Sequence, residues 1–177
     1  RCAGEPIEHA ITTLYRLSGA QRDKLSELGY STLHDMPLDS VTTAIRKRQL
    51  RAVQSGNAVV ERGLAAALRA IVSPVAYLDF ETIAPAIPRW DGCRPYDQVV
   101  VQISCHVEHS AKELTHFEWL AEGAADPRSA AAEAIIAATR GAASIVTYNV
   151  GFERSRIREL REAVPRLSAE LEEVESR

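Results

Sequence analysis

No apolar stretch in this chain approaches the ~18 residues that a membrane-spanning helix requires. Its first residues also lack the charged, apolar and cleavage-site regions of a secretory signal, so the expected compartment is the cytoplasm, with no membrane partner. Cysteine is scarce: Cys2, Cys93 and Cys105 stand far apart, which excludes a CxxC zinc or redox pair and predicts reduced thiols. A basic excess is missing as well. The net charge of -3 argues against a protein that coats nucleic acid wholesale. The imbalance is uneven, because residues 1–72 hold ten of the 21 Lys/Arg but only seven of the 24 Asp/Glu, which leaves the remainder acidic. What is present, 46% hydrophobic and 25% charged residues over 177 positions, suits a soluble globular domain with an appendage. The chain starts at Arg1 rather than a methionine and ends in the acidic, helix-like run Leu167 to Arg177, so a fragment of a longer protein is expected.

Residues 9–70 read as helical. Ser18 is placed to cap a helix through Leu28 with Gly29 as its stop, Asp39 to cap a longer one through about Gln54, and a further helical run spans Asn57 to Ile71. Ser73-Pro74 disfavours helix and sets the expected boundary between a helical module, 1–72, and a second domain, 73–177. Leu17 to Met36 resembles part of a helix-hairpin-helix, a module that grips DNA backbone phosphates, although only Gly19 stands where that family has two glycines. On that reading Gly19, Arg46, Lys47 and Arg51 would contact the nucleic-acid backbone, with Arg48 in the same patch. A helical packing module with a solvated basic face is the alternative.

The second domain reads as α/β. Strand 75–82, a Pro-, Gly- and Asp-rich loop, strand 98–107, a turn at His109-Ser110, strand 113–120, helix 128–139, strand 144–148 and helix 151–163 follow in order. Three successive strands favour an antiparallel meander, and the helical crossover favours a fourth strand parallel to the first. In the first strand Asp79 and Glu81 interrupt an apolar run, and burying two carboxylates is costly unless something pairs with them. They share one face about 6 to 7 Å apart. Hard oxygen ligands at that spacing suit Mg²⁺ or Mn²⁺; a strand end that lets both reach water is the alternative. The predicted topology carries residues after the fourth strand to the same place, and there Asn149 precedes Glu153, a carboxylate favoured in a first helical turn. An ordinary cap and an ordinary first-turn acid remain the bland readings of these two.

Asp79-Phe80-Glu81-Thr82 resembles the first motif of the DEDD 3′→5′ exonucleases, and Asn149-Val150-Gly151-Phe152-Glu153 resembles the second, with Glu in place of Asp at 153. The stretch Tyr77 to Arg177, with Ala86-Ile87-Pro88-Arg89, Arg94-Pro95-Tyr96, Gln102-Ile103-Ser104 and Asp126-Pro127-Arg128, resembles the bacterial domain of unknown function 2779. The resemblance implies a ribonuclease H-like mixed sheet, truncated before its last strand and helix. It also implies a metal-dependent nuclease acting on nucleic acid, DNA foremost, in a DNA-processing or defence protein with an upstream RecB-like nuclease region. Arg1-Cys2-Ala3-Gly4 would be the tail of that region, and Cys2 alone is no evidence of an iron–sulfur cluster. In two-metal hydrolysis Asp79 would bridge the ions, Glu81 would hold the ion carrying the nucleophilic water, and Glu153 would bind the other. Thr82, Asn149 and Phe152 would stand at the substrate. A fourth acid and a general base are not assignable, so weak or absent activity is expected of the fragment.

The loop Ala84 to Asp97 combines Arg89 and Arg94 with Trp90 and Tyr96, cations for phosphates and rings for bases. Its alternative is a proline-stiffened connection anchored by Trp90. Gln102, Ser104 and His106 share a strand face, and His106 either approaches the site or is structural. Against the enzyme stands a non-catalytic nucleic-acid-binding or scaffold module on the same fold.

Overall fold

The computed structural model describes residues 7–177. The stretch Arg1-Cys2-Ala3-Gly4 lies outside them, and with it the reading of Cys2. The chain separates into two compact units, one ending at Ala65 and one running Ala66–Arg177. The division falls ahead of Ser73-Pro74 because the connecting stretch is tied to the second unit. Val72 N–H donates to Ser144 Oγ at 2.9 Å, and Ser73 Oγ donates to the His109 carbonyl at 3.4 Å.

In the first unit, α1 (Gly19–Glu27) begins at a capping box. Ser18 Oγ accepts from Gln21 N–H while the Gln21 side chain accepts from Ser18 N–H. Gly29 follows at φ 88°, a left-handed position that glycine takes without a Cβ clash. The next helix, α2 (Ala44–Ser55), is capped by Thr43 and not by Asp39, which lies in a 3₁₀ turn at Leu38–Ser40. Val41 is extended at φ -124°, so no helix can run through it. Leu14, Leu25, Leu33, Met36, Val41 and Leu50 form the core of this unit. The helical run expected over 57–71 shrinks to α3 (Leu64–Arg69). Val60, Leu64 and Leu68 are exposed there, and a short helix that buries no apolar face has little to hold it.

The second unit is an α/β fold. Its strands are β1 (Val75–Ile83), β2 (Val99–Ser110), β3 (Glu113–Leu120) and β4 (Ser144–Val146), in spatial order β3-β2-β1-β4. β1, β2 and β3 pair antiparallel and β4 joins β1 in parallel, giving a four-stranded mixed sheet. The β2–β3 turn comes two residues later than expected, at Ala111-Lys112, and β4 ends at Val146 rather than 148. With α4 (Arg128–Ala138), α5 (Val150–Ala163) and α6 (Ser168–Ser176), the described residues contain six α-helices. None is long and apolar enough to cross a membrane.

The helices α4, α5 and α6 contribute to one core. Ala76, Leu78 and Phe80 of β1 meet Ile103 and Cys105 of β2, Ala131 and Ile135 of α4, Ile157 and Leu160 of α5, and Leu171 and Val174 of α6. The acidic run Glu170 to Glu175 is therefore interleaved with core positions, because Leu171 and Val174 fall on the inner stripe of the helix. Arg177 holds the end of α6, donating from Nη1 to the carbonyls of Thr139 and Ala142 at 3.1 and 2.9 Å. Burial pushes the Cys105 thiol up to about 11, which makes it a packing residue.

The alternation of β1 follows from this one-sided packing. Ala76, Leu78 and Phe80 point into the core, while Tyr77, Asp79 and Glu81 point to the opposite face and are exposed. Both carboxylates reach water along the length of the strand, so neither bears the desolvation cost that the apolar run suggests.

Candidate metal and nucleic-acid site

The open face of the sheet is set by register. Tyr77 pairs with His106 and His106 with His116, Asp79 with Ser104 and Ser104 with Glu118, and Glu81 with Gln102. Directly opposed residues share a face, so these polar side chains form rows across three strands. A bulge between Glu81 and Thr82 ends the regular alternation, leaving Thr82 half-buried and Ile83 exposed.

Glu153 arrives from the other side of β1. The parallel strand β4 delivers the chain to Asn149, the residue before α5, and Glu153 sits in the first turn with its N–H donating to the Asn149 carbonyl at 3.3 Å. The Asn149 side chain makes no capping bond. Glu153 is only 3% exposed, yet its Oε2 has no hydrogen-bond partner, and neither has the neighbouring Thr147 Oγ1. Burial pushes the Glu153 carboxyl above the ordinary glutamate range, opposed by its backbone hydrogen bond, and the negative charge of Asp79 pushes it further. The Thr147 hydroxyl is near enough to favour the charged form slightly without reaching bonding geometry, and the carboxyl lies shallow beneath the surface.

Asp79 and Glu153 are thus electrostatic neighbours. Glu81 stands further along β1 and is not among the charges acting on Glu153. Among the described residues, no three His, Cys, Asp or Glu side chains are drawn close enough together to hold a metal ion as they stand. The donor set fits a hard divalent cation in chemistry, being carboxylate oxygen with one buried and unpartnered atom, but the third ligand is not gathered in.

A groove of about 670 Å³ opens beside Asp79, lined by Tyr77, Ser104, His106, Thr147 and Tyr148 among others. His106 stacks on His116 with ring centroids 4.2 Å apart, and His116 Nε2 is 3.2 Å from Ser104 Oγ. Tyr148 is fully exposed at 102%. Neither Tyr77 nor Tyr148 is among the site residues expected from the sequence, although the period-2 alternation of β1 places Tyr77 with Asp79 and the expected topology carries Tyr148, directly after the fourth strand, to the same place.

The other expected contacts are dispersed. Phe152 packs against the core with the Arg156 guanidinium over its ring at 5.2 Å. Trp90 anchors the loop, its Nε1–H donating to the Ala124 carbonyl at 3.1 Å. Arg89 and Tyr96 are exposed, and Tyr96 takes a positive φ of 65°. Arg94 lines a separate cavity of about 520 Å³ with Arg128, Arg156, Asp97 and Glu159, away from the groove beside Asp79.

In the first unit two of the three Arg46 guanidinium nitrogens are engaged: Nε donates to the Tyr15 carbonyl at 2.9 Å, and Nη2 to the Arg16 carbonyl at 2.8 Å and to Gln21 Oε1 at 3.1 Å. These bonds fasten the turn before α1 and hold the guanidinium against it. Arg48 pairs with Glu61 at 2.8 Å. Gly19 opens α1, where the Ser18 hydroxyl already takes the Gln21 amide, while Lys47 is half-buried and Arg51 exposed.

The family model described as Domain of unknown function (DUF2779) matches residues 76–177. No curated protein and no solved structure matches the chain.

Proposed function

We propose that this chain, which belongs to the DUF2779 family, is a divalent-metal-dependent nuclease domain of ribonuclease H-like build that hydrolyses nucleic-acid phosphodiesters, in the manner of a 3′→5′ exonuclease. The observation that carries this reading is Glu153, whose Oε2 is buried and unpartnered and whose carboxyl is raised in pKa by burial and by Asp79. A buried carboxyl beside a second acid is destabilising in the folded chain unless a cation neutralises the pair. Asp79 and Glu153 would hold Mg²⁺ or Mn²⁺, with Glu81 completing the set by a shift along the open face. An ion held there supplies charge stabilisation at the phosphate and a water of lowered pKa. The chain's own part is to present oxygen ligands from β1 and α5, and to keep the Glu153 side of the site dry. The antiparallel trio with a parallel fourth strand supports the ribonuclease H-like reading. The Asp-Phe-Glu and Asn-Val-Gly-Phe-Glu segments support the exonuclease type.

A second reading, a non-catalytic nucleic-acid-binding or scaffold module, is favoured by the lack of three gathered ligands among the described residues. Incubating the protein with single- and double-stranded DNA and RNA, with Mn²⁺, Mg²⁺ or a chelator, separates the two. Digestion that needs metal and disappears in Asp79→Ala is the expected result. Digestion that survives Asp79→Ala refutes the site, and binding without digestion selects the scaffold.

A further inference from the structure

We propose that the groove beside Asp79 takes an unpaired base of a single-stranded nucleic acid on three rings, Tyr77, His106 and Tyr148. The choice of nucleic acid as ligand rests on the nuclease reading above. The groove's ~670 Å³ lies within the ~300–1,000 Å³ of ordinary small-ligand sites. Its rings come from three places: His106 from β2, Tyr77 from β1, and Tyr148 just beyond β4. The whole chain has five tyrosines and five histidines, so two Tyr and one His in a single lining is a concentration that core packing does not explain.

Two of the rings are held and the third is free. Tyr77 is 42% exposed, and its hydroxyl is tied to Glu108 Oε2 at 2.8 Å, which fixes the ring over the groove. His106 is backed by the stacked ring of His116, itself steadied by Ser104. Tyr148 packs against nothing and is free to turn onto the other face of a base seated there. No lysine or arginine lines the groove, so phosphate attraction contributes nothing at this point and affinity must come from stacking. Stacking on side chains requires a base whose faces are not already covered by duplex neighbours, and this makes the groove selective for single strands.

The test uses the full chain and a fluorescently labelled oligo(dT), titrated in Ca²⁺ so that binding is read without digestion, beside the same strand annealed to its complement. Tyr148→Ala is expected to weaken single-strand binding roughly tenfold, the loss of one stacked base, and Tyr148→Phe to restore it because the ring and not the hydroxyl does the stacking. The exposure of Tyr148 removes any folding explanation for the loss. Equal binding by Tyr148→Ala and the unaltered chain overturns the proposal, as does duplex binding as tight as single-strand binding. Absence of binding to either probe overturns it too. Asp79-dependent digestion that Tyr148→Ala leaves unchanged on single strands also overturns it while the nuclease reading stands. Tyr148-dependent binding with no digestion under any metal upholds it while the nuclease reading falls.

Discussion

Replacing Glu153 with glutamine should stabilise the metal-free protein at neutral pH, an outcome opposite to that of most substitutions at a residue only 3% exposed. Leaving a buried polar group unpaired costs roughly 1–3 kcal/mol, more for a charge. The first-turn position on α5 returns about 0.5 kcal/mol through the helix dipole, and the amide of glutamine is itself imperfectly satisfied, so the net gain is about 1 kcal/mol. For a unit of this size that is about 4 °C in Tm. The sign of the pH dependence follows from the raised carboxyl. The folded state binds the Glu153 proton more tightly than the unfolded chain does. Its penalty is therefore absent below the ordinary glutamate pKa of ~4.3, grows as pH rises towards the folded value, and is complete above it. Thermal melts of the two proteins should coincide near pH ~4 and diverge towards neutrality. Adding Mn²⁺ at neutral pH reverses the order. At a hundredfold excess over Kd the wild-type protein gains about 2.7 kcal/mol, roughly 10 °C, and the glutamine variant gains far less. A variant that melts below wild type in chelator shows that Oε2 is not an orphan. Equal protection of both proteins by Mn²⁺ removes Glu153 from the metal site.

Leu171→Ala, at a fully buried position on α6, should cost about 2–4 kcal/mol in a denaturant melt of the whole chain; a loss below about 0.5 kcal/mol would show that α6 is not docked on the core. Arg46→Ala should lower the stability of the first unit by about 1–2 kcal/mol, since it frees the Tyr15 and Arg16 carbonyls. Weaker DNA binding without loss of stability would instead return Arg46 to phosphate recognition.

The strands of the second unit can be read from the sequence because period-2 alternation states both the element and its inner face. Leu78 and Phe80 against Asp79 and Glu81 is such a pattern, and the structure keeps it. The error lies in the environment assigned to the outer face. An apolar run around two acids reads as burial on both sides, whereas α4, α5 and α6 pack on one side and leave Asp79 and Glu81 in water. That shifts the chemical anomaly from β1 to Glu153, which in the sequence is an unremarkable acid in a first helical turn. Its burial depends on β4 lying parallel beside β1, a long-range pairing that local pattern can suggest but not seat.

The same limit separates Arg46 from its basic neighbours. Arg46, Lys47, Arg48 and Arg51 look alike in sequence, but the carbonyls that occupy Arg46 lie 30 and 31 residues away. The row Tyr77, His106, His116 exists only because the turn at Ala111-Lys112 sets His106 opposite His116; a one-residue slip would send the partner ring to the core face. Composition and alternation thus identify which groups are chemically unusual. Register and crossover decide which of them meet, and here they bring a buried carboxyl with one unpartnered oxygen and an exposed aspartate together at the edge of an aromatic groove.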